Sequence, residues 1–137
     1  MPLYIMIRKK TGVVLESLRL RNKDGIKAAS TLGFKGIQID ATQRDITPEN
    51  LSQTGRRELR RVIDLNRLEL CALGGELGTG FINENEFDFL INRIKAITNL
   101  ALDLQTNIIT VQIGSIPTET DSTHWHAVNT ALGEIGR

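Results

Sequence analysis

A chain of 137 residues has room for one domain of ordinary size, about 100–150 residues, so residues 1–137 are read as a single unit. Hydrophobic residues at 40% and charged residues at 24% match a soluble globular protein, and no apolar run approaches the roughly 18 residues of a membrane span, which argues against disorder and membrane insertion. Lys+Arg 17 against Asp+Glu 16 leaves a formal charge of +1, so no overall field draws the chain to nucleic acid or anionic lipid. Cys71, the single cysteine, has no internal disulfide partner, and Met1-Pro2-Leu3-Tyr4 lacks the pattern of a signal peptide. The expected location is the reducing cytoplasm.

In chain order, the apolar run Leu3 to Ile7 is the expected first strand, buried on both faces as in a parallel sheet. A long segment containing Gly12 follows. Lys23 to Leu32 places Ile26, Ala29 and Leu32 near one face and ends at Gly33, suited to the left-handed position after a helix. Phe34 to Asp40 is the second strand, with Ile37 and Ile39 pointing one way and Gln38 and Asp40 the other. Thr47-Pro48-Glu49 combines an N-cap, a first-turn proline and an acid, predicting a short helical turn. Gly55 to Arg67 is a second helix with a basic outer face, and Leu68 to Leu73 a third strand. That strand runs into the glycine-rich segment Gly74 to Gly80. Glu84 to Gln105 carries the longest helical stripe, with Asn83 and Glu86 as a variant capping box. Ile108 to Ile113 is the fourth strand and Thr123 to Ile135 the last helix.

Four βα units in strict alternation indicate a parallel sheet with helices covering it. A closed eightfold barrel needs about 250 residues. The expected fold class is therefore α/β, four βα units of a (β/α)8 TIM barrel, with strands in the order 1-2-3-4 and helices on the outer face.

Specific residues point the same way. Leu32-Gly33-Phe34-Lys35-Gly36-Ile37-Gln38-Ile39-Asp40 resembles the second-strand entry of the xylose isomerase-like barrels, the sugar phosphate isomerase/epimerase superfamily. Ser52 to Arg60, then Leu70-Cys71-Ala72-Leu73, then Ile109 to Gly114 resemble successive segments of the same superfamily in the same order. The resemblance covers about residues 23 to 137 and implies the N-terminal half of such a barrel. It further implies metal-assisted proton transfer beside a sugar carbonyl, with a divalent metal (Mn, Mg, Co or Zn) and a sugar or sugar phosphate as substrate. The metal ligands of the superfamily sit on strands five to eight, and Ala131 to Arg137 resembles the fourth helix. No metal ligand or catalytic residue is therefore assigned here, and the isolated chain is expected to be inactive. The relatives' histidine at the end of strand four is replaced by Gln112, and none closes strand three, which weighs against the DNA-repair, phosphodiester-cleaving members.

In such barrels ligands lie at the C-terminal strand ends. Gln38, Asp40, Glu76 and Gln112 are the candidate substrate-binding residues, and Thr110 points the same way. Each has a plainer alternative: Asp40 as a turn cap, Gln112 as a hydrogen-bonded interior amide, Glu76 in a loop whose glycines merely allow tight turns. The Gly74 to Gly80 run lacks the G-K-[ST] of a phosphate loop. His124 and His126 diverge by about 200° on a helix and cannot share a metal; they are read as solvent-facing or interface side chains. Cys71, in an apolar strand, is read as an inert buried thiol. Arg56, Arg57, Arg60, Arg61 and Arg67 make a patch read as a solvated helix face rather than a nucleic-acid site. The rival to the enzyme reading is a non-catalytic half-barrel for binding or assembly. In either case the open sheet predicts a homo-oligomer or pairing with a C-terminal half.

Overall fold

The structure, a computed structural model, describes residues 10–43, 45–75, 84–116, 118–120 and 122–137. Four strands form one sheet in the order β1-β2-β3-β4: β1 Gly12–Val14, β2 Gly36–Asp40, β3 Glu69–Gly75 and β4 Ile109–Val111. Every neighbouring pair is parallel. The helices are α1 Asn22–Thr31, α2 Gln53–Leu65, α3 Phe87–Asp103 and α4 Thr123–Ile135. The expected α/β half-barrel, with sequential parallel strands, is the observed architecture.

Strand parity sorts the side chains onto two faces. Ile37, Ile39, Leu70 and Leu73 are buried with Ile26 and Ala29 of α1, Leu59 and Ile63 of α2, and Ile97, Leu100 and Ala101 of α3. A second cluster joins Leu90 and Ile94 of α3 to Val128 and Ala131 of α4. At about 25 cal/mol per Å² of apolar area, this helix-side layer is the main stabilising term. The opposite face carries Val14, Gln38, Asp40, Gly74 and Thr110 and has no helical cover among the described residues. Val14 is 42% and Ile108 56% exposed there.

Between helix and strand the chain turns through a left-handed residue three times: Gly33 at φ 89°, Arg67 at φ 55° and Gln105 at φ 59°. Gly33 matches the expected cap. The next two turns use side-chain-bearing residues and are tied down otherwise: at Arg67, Ser30 Oγ donates to the Asn66 carbonyl at 2.8 Å and Asn66 Nδ2 to the Val62 carbonyl at 2.8 Å, and at Gln105, Arg60 Nη1 donates to the Leu104 carbonyl at 2.9 Å.

Between β2 and β3 the pairing shifts: Ile37 pairs with Leu70, but Gln38 pairs with Ala72. Cys71 is the extra residue of a β-bulge. Its carbonyl accepts the Thr106 hydroxyl at 3.1 Å, and Thr106 is itself buried. The bulge turns Cys71 onto the open face, where the thiol is exposed. The buried thiol expected from its apolar neighbours is thus corrected.

The expected short turn after Thr47 is present: Thr47 Oγ1 accepts the Asn50 N–H at 3.2 Å and its carbonyl the Leu51 N–H at 3.1 Å, after which the chain leaves for α2. Among the described residues the sheet begins with Gly12–Val14, inside the segment read as a connection, and the expected strand Leu3 to Ile7 lies outside them. The long helix proper begins at Phe87, after a single 3-10 turn at Glu84–Glu86. Glu86 makes no side-chain cap there, and Asn83, its expected partner, lies outside the described residues. The last helix spans Thr123–Ile135 as read, capped by Ser122 Oγ accepting the Trp125 N–H at 3.1 Å.

Candidate functional site

Parallel strands deliver all their C-terminal ends to one edge of the sheet. That edge holds a cavity of about 430 Å³, lined by Val14 and Glu16 after β1, Gln38, Asp40 and Gln43 on and after β2, Gly74 and Gly75 of β3, and Thr110, Val111 and Gln112 at β4. A larger groove of about 690 Å³ runs between α1 and α2 and is crossed by the Lys23–Glu58 ion pair at 3.6 Å. Its lining lacks the convergence of strand ends that defines ligand sites in βα barrels.

The floor of the strand-end cavity passes over a glycine. Gln38 Nε2 donates to Thr110 Oγ1 at 3.3 Å, spanning β3 between them. The intervening residue is Gly74, where a Cβ would make ordinary contacts, 3.4 Å from Gln38 Nε2 and 3.6 Å from Thr110 Oγ1. An amide, a hydroxyl and a bare backbone thus form a flat polar floor.

The wall beside it carries two carboxylates. Asp40 Oδ1 accepts the Thr42 N–H at 2.8 Å and the Thr42 hydroxyl at 2.6 Å, which makes Asp40 a turn cap as well as a lining residue. Glu16, in the 3-10 turn Leu15–Leu18, accepts the Asp40 N–H on Oε1 at 3.0 Å. Its Oε2 is shielded from solvent with no partner among the described residues, a costly state for a charged oxygen.

Three of the sequence-derived candidates, Gln38, Asp40 and Gln112, are brought together here, with Thr110. Glu76 lies outside the described residues. Gln112 is exposed at the end of β4, so the interior amide anticipated for it is replaced by an open cavity rim. Glu16 was missed. Once the first strand is set at Gly12–Val14, the Leu15-Glu16-Ser17-Leu18 stretch at its end would have revealed it.

The remaining candidates stand apart. His126 is exposed, while His124 is partly buried with Nε2 shielded and unpartnered, which corrects the solvent-facing alternative for that residue. Of the five arginines, Arg56 pairs with Asp103 at 2.6 Å, Arg60 with Asp64 at 3.1 Å and Arg61 with Glu58 at 2.9 Å. The Arg61 hydrogen bond holds the Glu58 carboxyl below its usual range. Arg56 also donates to the Leu51 and Pro48 carbonyls, fastening the loop before α2.

Among the described residues no three His, Cys, Asp or Glu side chains converge as a metal site. At the strand ends Glu16 and Asp40 are both engaged with backbone N–H groups, and the donor set described there does not fit a catalytic divalent metal, which takes three or more protein ligands. No helix among the described residues is long and apolar enough to cross a membrane.

No protein-family model and no curated protein sequence matches the chain. Solved structures do. A xylose isomerase domain protein from Planctomyces limnophilus superposes with a TM-score of 0.68 at 15% identity, over 80% of this chain and 42% of that one. A sugar phosphate isomerase/epimerase from Parabacteroides distasonis gives 0.61 at 14% identity, over 93% and 46%. The probable 3-DHS dehydratase AsbF of Bacillus anthracis, involved in petrobactin synthesis, gives 0.58 at 23% identity, over 75% and 38%. The chain spans less than half the length of each. It has the fold of about half of a xylose isomerase-like TIM barrel.

Proposed function

We propose that the chain is the N-terminal half of a sugar isomerase/epimerase-like barrel, and that its strand ends hold the hydroxyl-bearing end of a sugar during proton transfer beside the carbonyl. The supporting observation is the cavity where Glu16, Gln38, Asp40, Thr110 and Gln112 meet: neutral and acidic oxygens and amides, spaced by a glycine, suit a ligand rich in hydroxyls. Two of the superposed structures are named for sugar chemistry and one for a dehydratase. A divalent metal, were one bound, would supply carbonyl polarisation, and its ligands and the acid/base pair would belong to the other half of the barrel. The residues described here orient the substrate and exclude water from one side. An exposed free Cys71 suits a reducing cytoplasm.

The test is direct. The purified chain with Mn²⁺, Mg²⁺ or Co²⁺ is offered a panel of ketoses while solvent deuterium uptake is followed. No incorporation is expected from the chain alone, whereas ketoses shift the Gln38 side-chain amide resonance. Incorporation abolished by Asp40→Asn would place the chemistry in this half and refute the division of labour.

A second reading, a binding or assembly half-barrel that pairs with itself or with another half, is favoured by the uncovered sheet face bearing Val14 and Ile108. The same titration separates the two, since an assembly module leaves the Gln38 amide unmoved by sugars.

A further inference from the structure

The charge of the strand-end cavity carries the sugar-binding reading one step further, to the class of ligand. Its described lining contains two carboxylates, Glu16 and Asp40, and no Lys, Arg or His. Among the described residues no ion pair neutralises those carboxylates: Asp40 is satisfied on one oxygen by the neutral Thr42, and Glu16 on one oxygen by a backbone N–H, its other oxygen having no partner there. Arg56, Arg60 and Arg61 of α2 are paired with Asp103, Asp64 and Glu58. Against the described lining a phosphate would meet two negative charges and no positive one. An ammonium group would meet two attractive ones, and the pull of each charge at cavity distances is on the order of 1 kcal/mol even in water-like surroundings.

We infer that the strand ends of this half take the amino-substituted or uncharged end of a polyol and select against its phosphorylated form. This rests on the sugar-binding reading above and fixes which end of such a ligand lies over strands β1 to β4. Gln38 and Thr110 supply the neutral hydrogen bonds common to all polyols. Glu16 and Asp40 supply the discrimination by charge.

The experiment uses the full chain and three ligands of one skeleton: glucosamine, glucose and glucose 6-phosphate. Their affinities are measured by amide chemical-shift titration at low ionic strength. The expected order is glucosamine tightest and glucose 6-phosphate weakest, about tenfold or more between these extremes, narrowing in 1 M salt as screening shortens to about 3 Å. In Glu16→Gln and Asp40→Asn the ratio of glucosamine to glucose 6-phosphate affinity contracts toward one. The salt series needs only the unmodified chain, so it decides even if a variant fails to fold. Glucose 6-phosphate binding as tightly as glucose, or a spread indifferent to salt, overturns the charge selection and leaves sugar binding standing. If none of the three ligands shifts the Gln38 and Thr110 resonances, the binding reading itself fails and takes this inference with it.

Discussion

Replacing Gly36 with alanine tests the packing of the open sheet face at one point. Gly36 has no left-handed φ, so alanine fits its backbone, and in a strand the exchange by itself is worth about 0.4–1 kcal/mol of stability through the unfolded chain. What opposes it is the bulge. The added Cβ would overlap Cys71 Sγ, whereas the next contact, the Glu69 carbonyl, stands at an ordinary 3.4 Å. Overpacking of this kind costs about 1–3 kcal/mol, and here the whole cost passes through one exposed sulfur. Cys71→Ala removes that sulfur and only a weak 3.6 Å contact to the Glu69 carbonyl, a change of about 0.5 kcal/mol or less. Gly36→Ala is therefore expected to destabilise the wild-type chain yet stabilise the Cys71→Ala chain, with a coupling of about 1.5 kcal/mol or more. Urea unfolding of the four proteins, read as midpoint shifts at constant slope, completes the cycle. The same sign for Gly36→Ala in both backgrounds would refute the reasoning.

Arg67→Gly and Gln105→Gly should each raise stability by roughly 0.5–1 kcal/mol, because the left-handed conformation costs a side-chain-bearing residue about 1–2 kcal/mol and glycine returns part of that as chain entropy; an unchanged urea midpoint in both would contradict this. Asp103 is held below its ordinary value of 3.8 by hydrogen bonds from Arg56 and Gln53. Its contribution to stability is thus full above that value and lost as pH falls through the lowered one, so Asp103→Asn should flatten the acid limb of the stability profile while a mutant as pH-sensitive as wild type would exclude the pair. The sheet face and edge strands that the described residues leave uncovered predict self-association, a dimer or larger by light scattering at micromolar concentration; a monodisperse monomer of 15.2 kDa would count against it.

How far the sequence was readable follows from which force set each element. β2 was legible because Ile37 and Ile39 alternate with Gln38 and Asp40, and burial of the first pair decides the exposure of the second. The last helix was legible because a Ser cap and an apolar stripe coincide. The strand at Gly12–Val14 went unread because it is three residues long, with one side chain turned toward the core, and so short a piece carries almost no periodicity. Glu16 went unseen as a result. The exposure of Cys71 and of Gln112 was hidden for another reason: apolar neighbours imply burial only when both faces of a sheet are covered, and on the described residues one face is not.

The bulge at Cys71 also governs how this strand tolerates changes of length. Leu70 faces the helices and, with Cys71 as the supernumerary residue, Ala72 and Gly74 lie on the opposite face while Leu73 returns to the core. Removing Cys71 outright would join Leu70 directly to Ala72 and leave every later residue on its present side, now in an unbroken ladder. Adding one residue at the same place would leave two residues in excess of β2, so Leu73 and Gly74 could keep their faces only if their pairing with Ile39 and Asp40 slipped by two. A single-residue deletion is ordinarily among the harshest edits a strand can receive. At this position it is the gentler one.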